Sequence, residues 1–161
     1  MTPPVDAPEA PGLCVDEWLN AETPVTLAAL RGRVVAIEAF QMLCPGCIHH
    51  GIPSAQQVAR VFRGAPVTVL GLHTVFEHHE AMTPVSLRAF LHEFRVTFPV
   101  GVDRANGTGL PETMRRYGLR GTPSLLLIDA AGRLRAHHFG QVDAMQVGAE
   151  IATLLAEAGR A

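Results

Sequence analysis

The chain of 161 residues has no lysine, only three cysteines, no run of basic residues and no apolar stretch of membrane-spanning length. Each shortage excludes something. A helix that crosses a bilayer needs about 20 consecutive apolar residues, so no membrane span is expected. Three cysteines cannot build the disulfide framework of a small secreted domain, and the odd number leaves one unpaired. Aromatic residues make up 6% of the chain and the formal net charge is −2, with acids and bases interspersed, which leaves no basic face for nucleic acid. Without lysine, a buried carboxylate that seeks a cation must find an arginine. The N-terminal stretch MTPPVDAPEAPG has neither the basic start nor the apolar core of a signal peptide, so the expected location is cytoplasmic. Proline and alanine among acids predict a disordered tail over residues 1–12, followed by one domain over 13–161.

What is present is a sequence of buried-strand and amphipathic-helix patterns. Residues 13–30, with Trp18, read as an irregular or short-strand lead-in. The run VVAIEAF, residues 34–40, is nearly all apolar and has strand length, as a central strand covered on both faces requires. Helical spacing follows from Pro45 to Arg63, with Pro53 placed to kink it. A second buried strand is predicted over 67–72. Thr83 and Pro84 form a helix start, and the helix is predicted to reach about Val96. A short strand over 98–102, a loop over 103–109 and a short helix over 110–117 come next. The last third holds two strand runs, 124–128 and 134–139, joined by a turn with Asp129 and Gly132, a hairpin signature. Asp143 caps a final helix, and Gln146 completes a capping-box pattern. Parallel crossovers first and a hairpin last predict a mixed sheet between helical layers, an α/β fold.

The stretch FQMLCPGCIHH, residues 40–50, carries the chemistry. Cys44 and Cys47 are two residues apart, at the end of a buried strand and the start of a helix. A thiol attacks a disulfide only as thiolate, and the unpaired N–H groups of a first helical turn favour an anion. Cys44 is therefore expected to have a lowered pKa, and the deeper Cys47 an ordinary or raised one. Glu38, a carboxyl in an apolar strand ahead of the motif, is expected to have a raised pKa and to serve as acid and base for Cys47. Cys44, Cys47 and His49 or His50 also form half of a zinc or copper site, although no second pair at matching spacing completes it. His49 and His50 otherwise read as solvated helix surface. His73, at the end of a parallel strand, is a candidate for lining the cleft. His78, His79, His137 and His138 are expected to be exposed. Met42 and Phe40 are candidates for an apolar rim or for core. Cys14 reads as a free buried thiol.

The order of elements, the C-P-G-C motif and Gly121-Thr122-Pro123 ahead of the hairpin together resemble the thioredoxin superfamily, and within it the TlpA-like, redoxin group of thiol–disulfide oxidoreductases. The resemblance covers roughly residues 13–158. It implies a thioredoxin-like three-layer α/β/α sandwich with a central mixed sheet, an N-terminal extension and an extra βα insertion. It places Cys44 as attacking thiol, Cys47 as resolving thiol, Glu38 as the buried acid and Pro123 as a cis-proline. The substrate-facing residues it implies are Thr122, Pro123, Leu43, Pro45 and Gly46. Leu43 stands where the family usually has an aromatic residue, and Pro45-Gly46 reverses the dipeptide of thioredoxin. No cofactor is implied beyond the redox-active Cys44–Cys47 disulfide. The implied partners are a disulfide-bearing protein or small thiol substrate and an upstream dithiol reductant. Peroxiredoxins share the fold but resemble T-x-x-C at their reactive cysteine; Gln41 stands there instead, which disfavours a peroxidase.

Overall fold

Seven consecutive buried residues, Val34–Phe40, form strand β2, and their alternation divides the interior in two. Val34, Ala36 and Phe40 join one apolar cluster, while Val35, Ile37 and Ala39 join another. The computed structural model describes residues 1–107 and 109–160. Thr108, in the expected loop 103–109, and Ala161, at the end of the expected domain, lie outside the described residues.

Among the described residues six strands make one sheet: β1 (Val15–Leu19), β2, β3 (Val67–His73), β4 (Val100–Asp103), β5 (Ser124–Ile128) and β6 (Leu134–Phe139). Their spatial order is β1-β4-β3-β2-β5-β6. β2, β3 and β4 run parallel, and β1, β5 and β6 pair antiparallel to their neighbours. The four α-helices are α1 (Ile52–Val61), α2 (Pro84–Glu93), α3 (Glu112–Arg116) and α4 (Ala144–Ala158). Ile52 and Val58 of α1, Leu87 and Leu91 of α2, and Ile151 and Leu154 of α4 fill the face of Val34 and Phe40. Met114 of α3, with Trp18 and Leu13 of the lead-in, covers the opposite face. This is the expected thioredoxin-like sandwich, with α2 and β4 as the extra insertion. Each fully buried Leu, Ile or Phe contributes about 1.5–3 kcal/mol, so strands covered on both faces, β2 and β5, contribute heavily to stability.

Helix starts show how local sequence chose the boundaries. Thr83 accepts the N–H of Ser86 and caps α2 at Pro84, as predicted. Asp143 accepts the N–H groups of Met145 and Gln146 at the start of α4. The Gln146 side chain turns to Glu150 instead of back to the cap, so only half of the predicted capping box forms. The short α3 is capped from a distance: the Asp103 carboxylate on β4 accepts the N–H groups of Thr113 and Met114.

Residues 1–12 depart from the disordered tail that composition predicts. The Thr2 N–H donates to the Arg135 carbonyl at 2.7 Å, the Leu134 N–H donates to the Pro8 carbonyl at 2.9 Å, and Glu9 bridges antiparallel to Arg133. β6 is an edge strand with open polar groups, and a segment poor in N–H groups of its own can still supply the acceptors that edge needs. The buried Arg135 guanidinium donates to the Thr2 carbonyl and pairs with Asp129 and Glu157, which pins the segment further.

Candidate active site

The parallel ladder carries β2 to its C-terminal end at Phe40, where the chain turns and starts a helix over the sheet. Cys44 sits at that turn. Its backbone carbonyl accepts the N–H groups of Cys47 (3.0 Å) and Ile48 (3.1 Å), the first bonds of the helix. The Cys47 N–H also lies 3.3 Å from Cys44 Sγ, and the Cys44 thiol donates to the Thr122 carbonyl at 3.4 Å. Cys44 is half-buried and Cys47 fully buried. Burial first, and then the hydrogen bond with Cys44, push the Cys47 thiol up to about 12. The Thr122-Pro123 peptide bond is cis, as the resemblance implies.

The helix does not simply kink at Pro53. A π-helical turn, Cys47–Gly51, precedes α1, and Pro53 then falls in the first turn of α1. Proline has no N–H for the carbonyl four residues back, and its ring crowds that carbonyl, so the widened turn relieves a conflict that a regular helix cannot. Gly51 closes this turn against the sheet. A Cβ there would collide with Glu38 Oε1 and stand 3.0 Å from Pro123 Cβ. A Cβ at Gly46 would stand 3.1 Å from Pro123 Cδ and 3.9 Å from Cys44 Sγ. Two glycines of the active-site helix therefore let the backbone reach the proline ring, and Gly51 also leaves the space that Glu38 occupies.

Glu38 is only 3% exposed, and its Oε1 has no hydrogen-bond partner among the described residues. Burial first, and then the nearby charge of Cys44, hold the carboxyl well above the usual carboxylate range. The group thus holds its proton more tightly than a solvated carboxyl does, under the helix that bears both cysteines. No arginine reaches it among the described residues.

Of the residues named from sequence, Cys44, Cys47, Glu38, Gly46, Thr122 and Pro123 meet at one place. Leu43 projects beside Cys44 with 56% of its surface exposed, and Pro45 is exposed as well. His49 and His50 are exposed on the helix. Among the described residues no three His, Cys, Asp or Glu side chains cluster as metal ligands would. Phe40 and Met42 are core rather than rim. His73 is 1% exposed and packs on the Phe40 ring 5.2 Å away, so it lies beneath the site and not along a cleft. Burial lowers its pKa to about 4, and its Nε2 has no partner among the described residues. His78, His79 and His137 are exposed, whereas His138 is half-buried and meets Glu150 at 2.7 Å. Cys14 is buried beside Thr113, on the β1 side of the sheet.

Sequence reasoning missed Gly51, although a lone glycine inside a helical pattern is a signal of close approach. It also missed what Gln41 does. The buried Gln41 side chain accepts the Phe76 N–H and donates to Glu77, tying the loop after β3 to the motif. No local pattern announces that bond.

The AhpC/TSA family model matches residues 7–137, most of the chain. The chain belongs to the AhpC/TSA family. Among solved structures this AhpC/TSA member is 64% identical to the thioredoxin-like superfamily protein SPOA0173, over 92% of this chain and 97% of that one, with a TM-score of 0.90. It is 48% identical to a thiol-disulfide isomerase from Corynebacterium glutamicum, over 94% of this chain and 97% of that one, with a TM-score of 0.87. It is also 28% identical, over 85% of its length, to protein DipZ of Mycobacterium bovis, but it spans only 19% of that relative. The fold and the paired cysteines are thus those of a thioredoxin-like thiol–disulfide oxidoreductase. No helix among the described residues is long and apolar enough to cross a membrane.

Proposed function

We propose that the protein exchanges thiols and disulfides through Cys44 and Cys47, with a disulfide-bearing protein or small disulfide as substrate. The observation that carries this reading is the asymmetry of the pair: one sulfur reachable and facing an N–H, the other sealed and held protonated. The Cys44 thiolate attacks one sulfur of the substrate disulfide. That S–S bond breaks, a mixed disulfide forms, and the other substrate sulfur leaves as a thiolate that takes a proton from solvent. Cys47 then loses its proton to the ionised form of Glu38, directly or through one water, and attacks Cys44 Sγ; the second substrate sulfur leaves as a thiolate and takes a proton back from Glu38 or from solvent. The Cys44–Cys47 disulfide forms and the substrate leaves as a dithiol, two electrons richer. An upstream dithiol returns the pair to its reduced state. Run backwards, the same steps oxidise a partner, and the direction follows the reduction potential of the pair against its surroundings.

Thr122 and Pro123 face the mixed disulfide. The β2–β5 and β5–β6 ladders both end at Ser124, so the Thr122 backbone lies outside them and is open to an extended substrate segment. A peroxidase reading draws no support from Gln41, whose amide is engaged with the Phe76 and Glu77 loop.

The test is direct. Cys44→Ser abolishes reduction of a protein disulfide such as that of insulin, and Cys47→Ser accumulates substrate as mixed disulfide on Cys44. Undiminished reduction by Cys44→Ser would remove the assigned nucleophile.

A further inference from the structure

Next to the segment that leads into the cis-proline, the molecule shows an exposed apolar side chain. Phe139, at the end of β6, is 49% exposed. It pairs with Ser124 in the hairpin, and the next residue, Gly140, donates its N–H to the Pro123 carbonyl at 2.8 Å. A Cβ at Gly121 would stand 3.0 Å from the Phe139 ring, so the edge of the ring lies close against the chain just ahead of Thr122. The Arg120 guanidinium sits over that ring, 5.2 Å from its centre. Arg120 is exposed and makes no ion pair among the described residues. Beyond the ring a cavity of about 480 Å³ opens, walled by Arg120, His137, His138, Gln141 and Asp143. The acids near this wall are already engaged. Asp143 caps α4, and Glu150 takes His138 and the Gln146 amide. The pKa of His137 is lowered, first by burial and then by Arg120 and His138.

We propose that this surface is the specificity site for the substrate, and that it selects a disulfide-bearing polypeptide with an acidic side chain within a few residues of its reactive cysteine. The inference rests on the thiol–disulfide reading above. A chain laid along the open Thr122 backbone has the exposed Leu43 next to Cys44 and the exposed Phe139 ring next to Gly121. Two residues of extended chain reach about 7 Å, which carries a side chain from the cysteine paired at Thr122 to the level of Arg120. The apolar side chains exclude water around the reacting sulfur, and the Arg120 guanidinium takes the carboxylate. Engaging Thr122 and Arg120 together takes several residues of extended chain, which favours a polypeptide over a small disulfide.

The experiment uses pre-reduced full-length protein in single turnover against two peptides, each with one disulfide loop and identical except for Glu or Gln two residues from a cysteine. Hydroxyethyl disulfide and glutathione disulfide serve as small references. The expected wild-type preference for the Glu peptide is about threefold to fivefold at low salt, the size of one partly exposed ion pair, and it vanishes near 1 M salt. Arg120→Glu reverses the preference, and Phe139→Ala slows both peptides relative to hydroxyethyl disulfide. Equal wild-type rates for the two peptides, or a ratio untouched by Arg120→Glu, overturn the inference; the wild-type salt series decides the matter even if a variant does not fold. Glutathione disulfide reduced faster than either peptide overturns the polypeptide assignment. Reduction of hydroxyethyl disulfide without any charge preference sinks only this inference, whereas failure to reduce any of the four sinks the thiol–disulfide reading itself.

Discussion

Two buried carboxylic acids on this sheet lead opposite lives. Asp103, at the end of β4, accepts the Thr113 and Met114 N–H groups and the Thr74 hydroxyl at 2.8–3.0 Å. Glu38, on β2, has an oxygen that nothing meets among the described residues. Both are almost fully buried. Asp103 serves the fold: it starts α3 and ties β4 to the strand beside it. Glu38 sits where a fully bonded carboxylate would be useless, because the oxygen that takes and returns a proton has to be free of other partners. The same contrast separates Arg135, whose donors all find oxygen in Thr2, Asp129 and Glu157, from His73, whose Nε2 finds none. Polar groups satisfied by the fold build it. Those left unsatisfied cluster below the dithiol, where a mobile proton has a use.

Breaking the satisfied side gives the largest expected effect. Asp103→Ala strands two backbone N–H groups in the interior and costs about 4 kcal/mol of stability by chemical denaturation, with little change in the intrinsic reactivity of Cys44. An intact stability for that variant would erase the contrast. His73 follows. Its pKa of about 4 in the folded state lies below the ordinary 6.5, so the unfolded chain binds the proton first. Stability is therefore full above about pH 6.5 and falls as the pH drops toward 4, by about 3 kcal/mol in total. His73→Leu removes that part of the acid slope, which parallel denaturation curves at pH 7 and pH 4.5 resolve.

The unsatisfied acid is next. Glu38→Gln keeps the shape and removes the proton acceptor, and resolution of a trapped mixed disulfide slows about a hundredfold in stopped-flow measurements. The folded pKa of Glu38 is raised, so its stabilising share is complete below about pH 4.5 and is lost as the pH rises through the folded value. Glu38→Gln lacks this loss, and a wild-type slope retained in the variant would show that another group causes it. The smallest effect belongs to a satisfied group at the surface. Thr83→Ala removes the cap of α2 and costs about 1 kcal/mol, read as a small downward shift in thermal midpoint with exchange rates unchanged.

Much of this was legible beforehand. The unbroken apolar run of 34–40 demands coverage on both faces, and the hairpin of 124–128 and 134–139 appears with the boundaries its pattern predicts. The site was legible through the spacing of Cys44 and Cys47 and through one carboxyl in an apolar strand. Other features were not. The N-terminal segment looked disordered because composition counts its own residues and not the open edge of β6 that receives them. The helix at the motif looked merely kinked, because Pro53 states that a bond is missing but not how the turn widens.

The sequence by itself determined the order of the elements, the two faces of β2, the caps at Thr83 and Asp143, and the paired thiols, since all of these depend on neighbours a few residues apart. Only the tertiary structure decided which sulfur is sealed, that Gly51 and Pro123 close around Glu38, that Gln41 holds the loop after β3, and that Arg120 stands on Phe139 beside the reacting sulfur. Those facts arise from groups far apart along the chain, and burial and electrostatic environment belong to the space around a residue, not to the letters beside it.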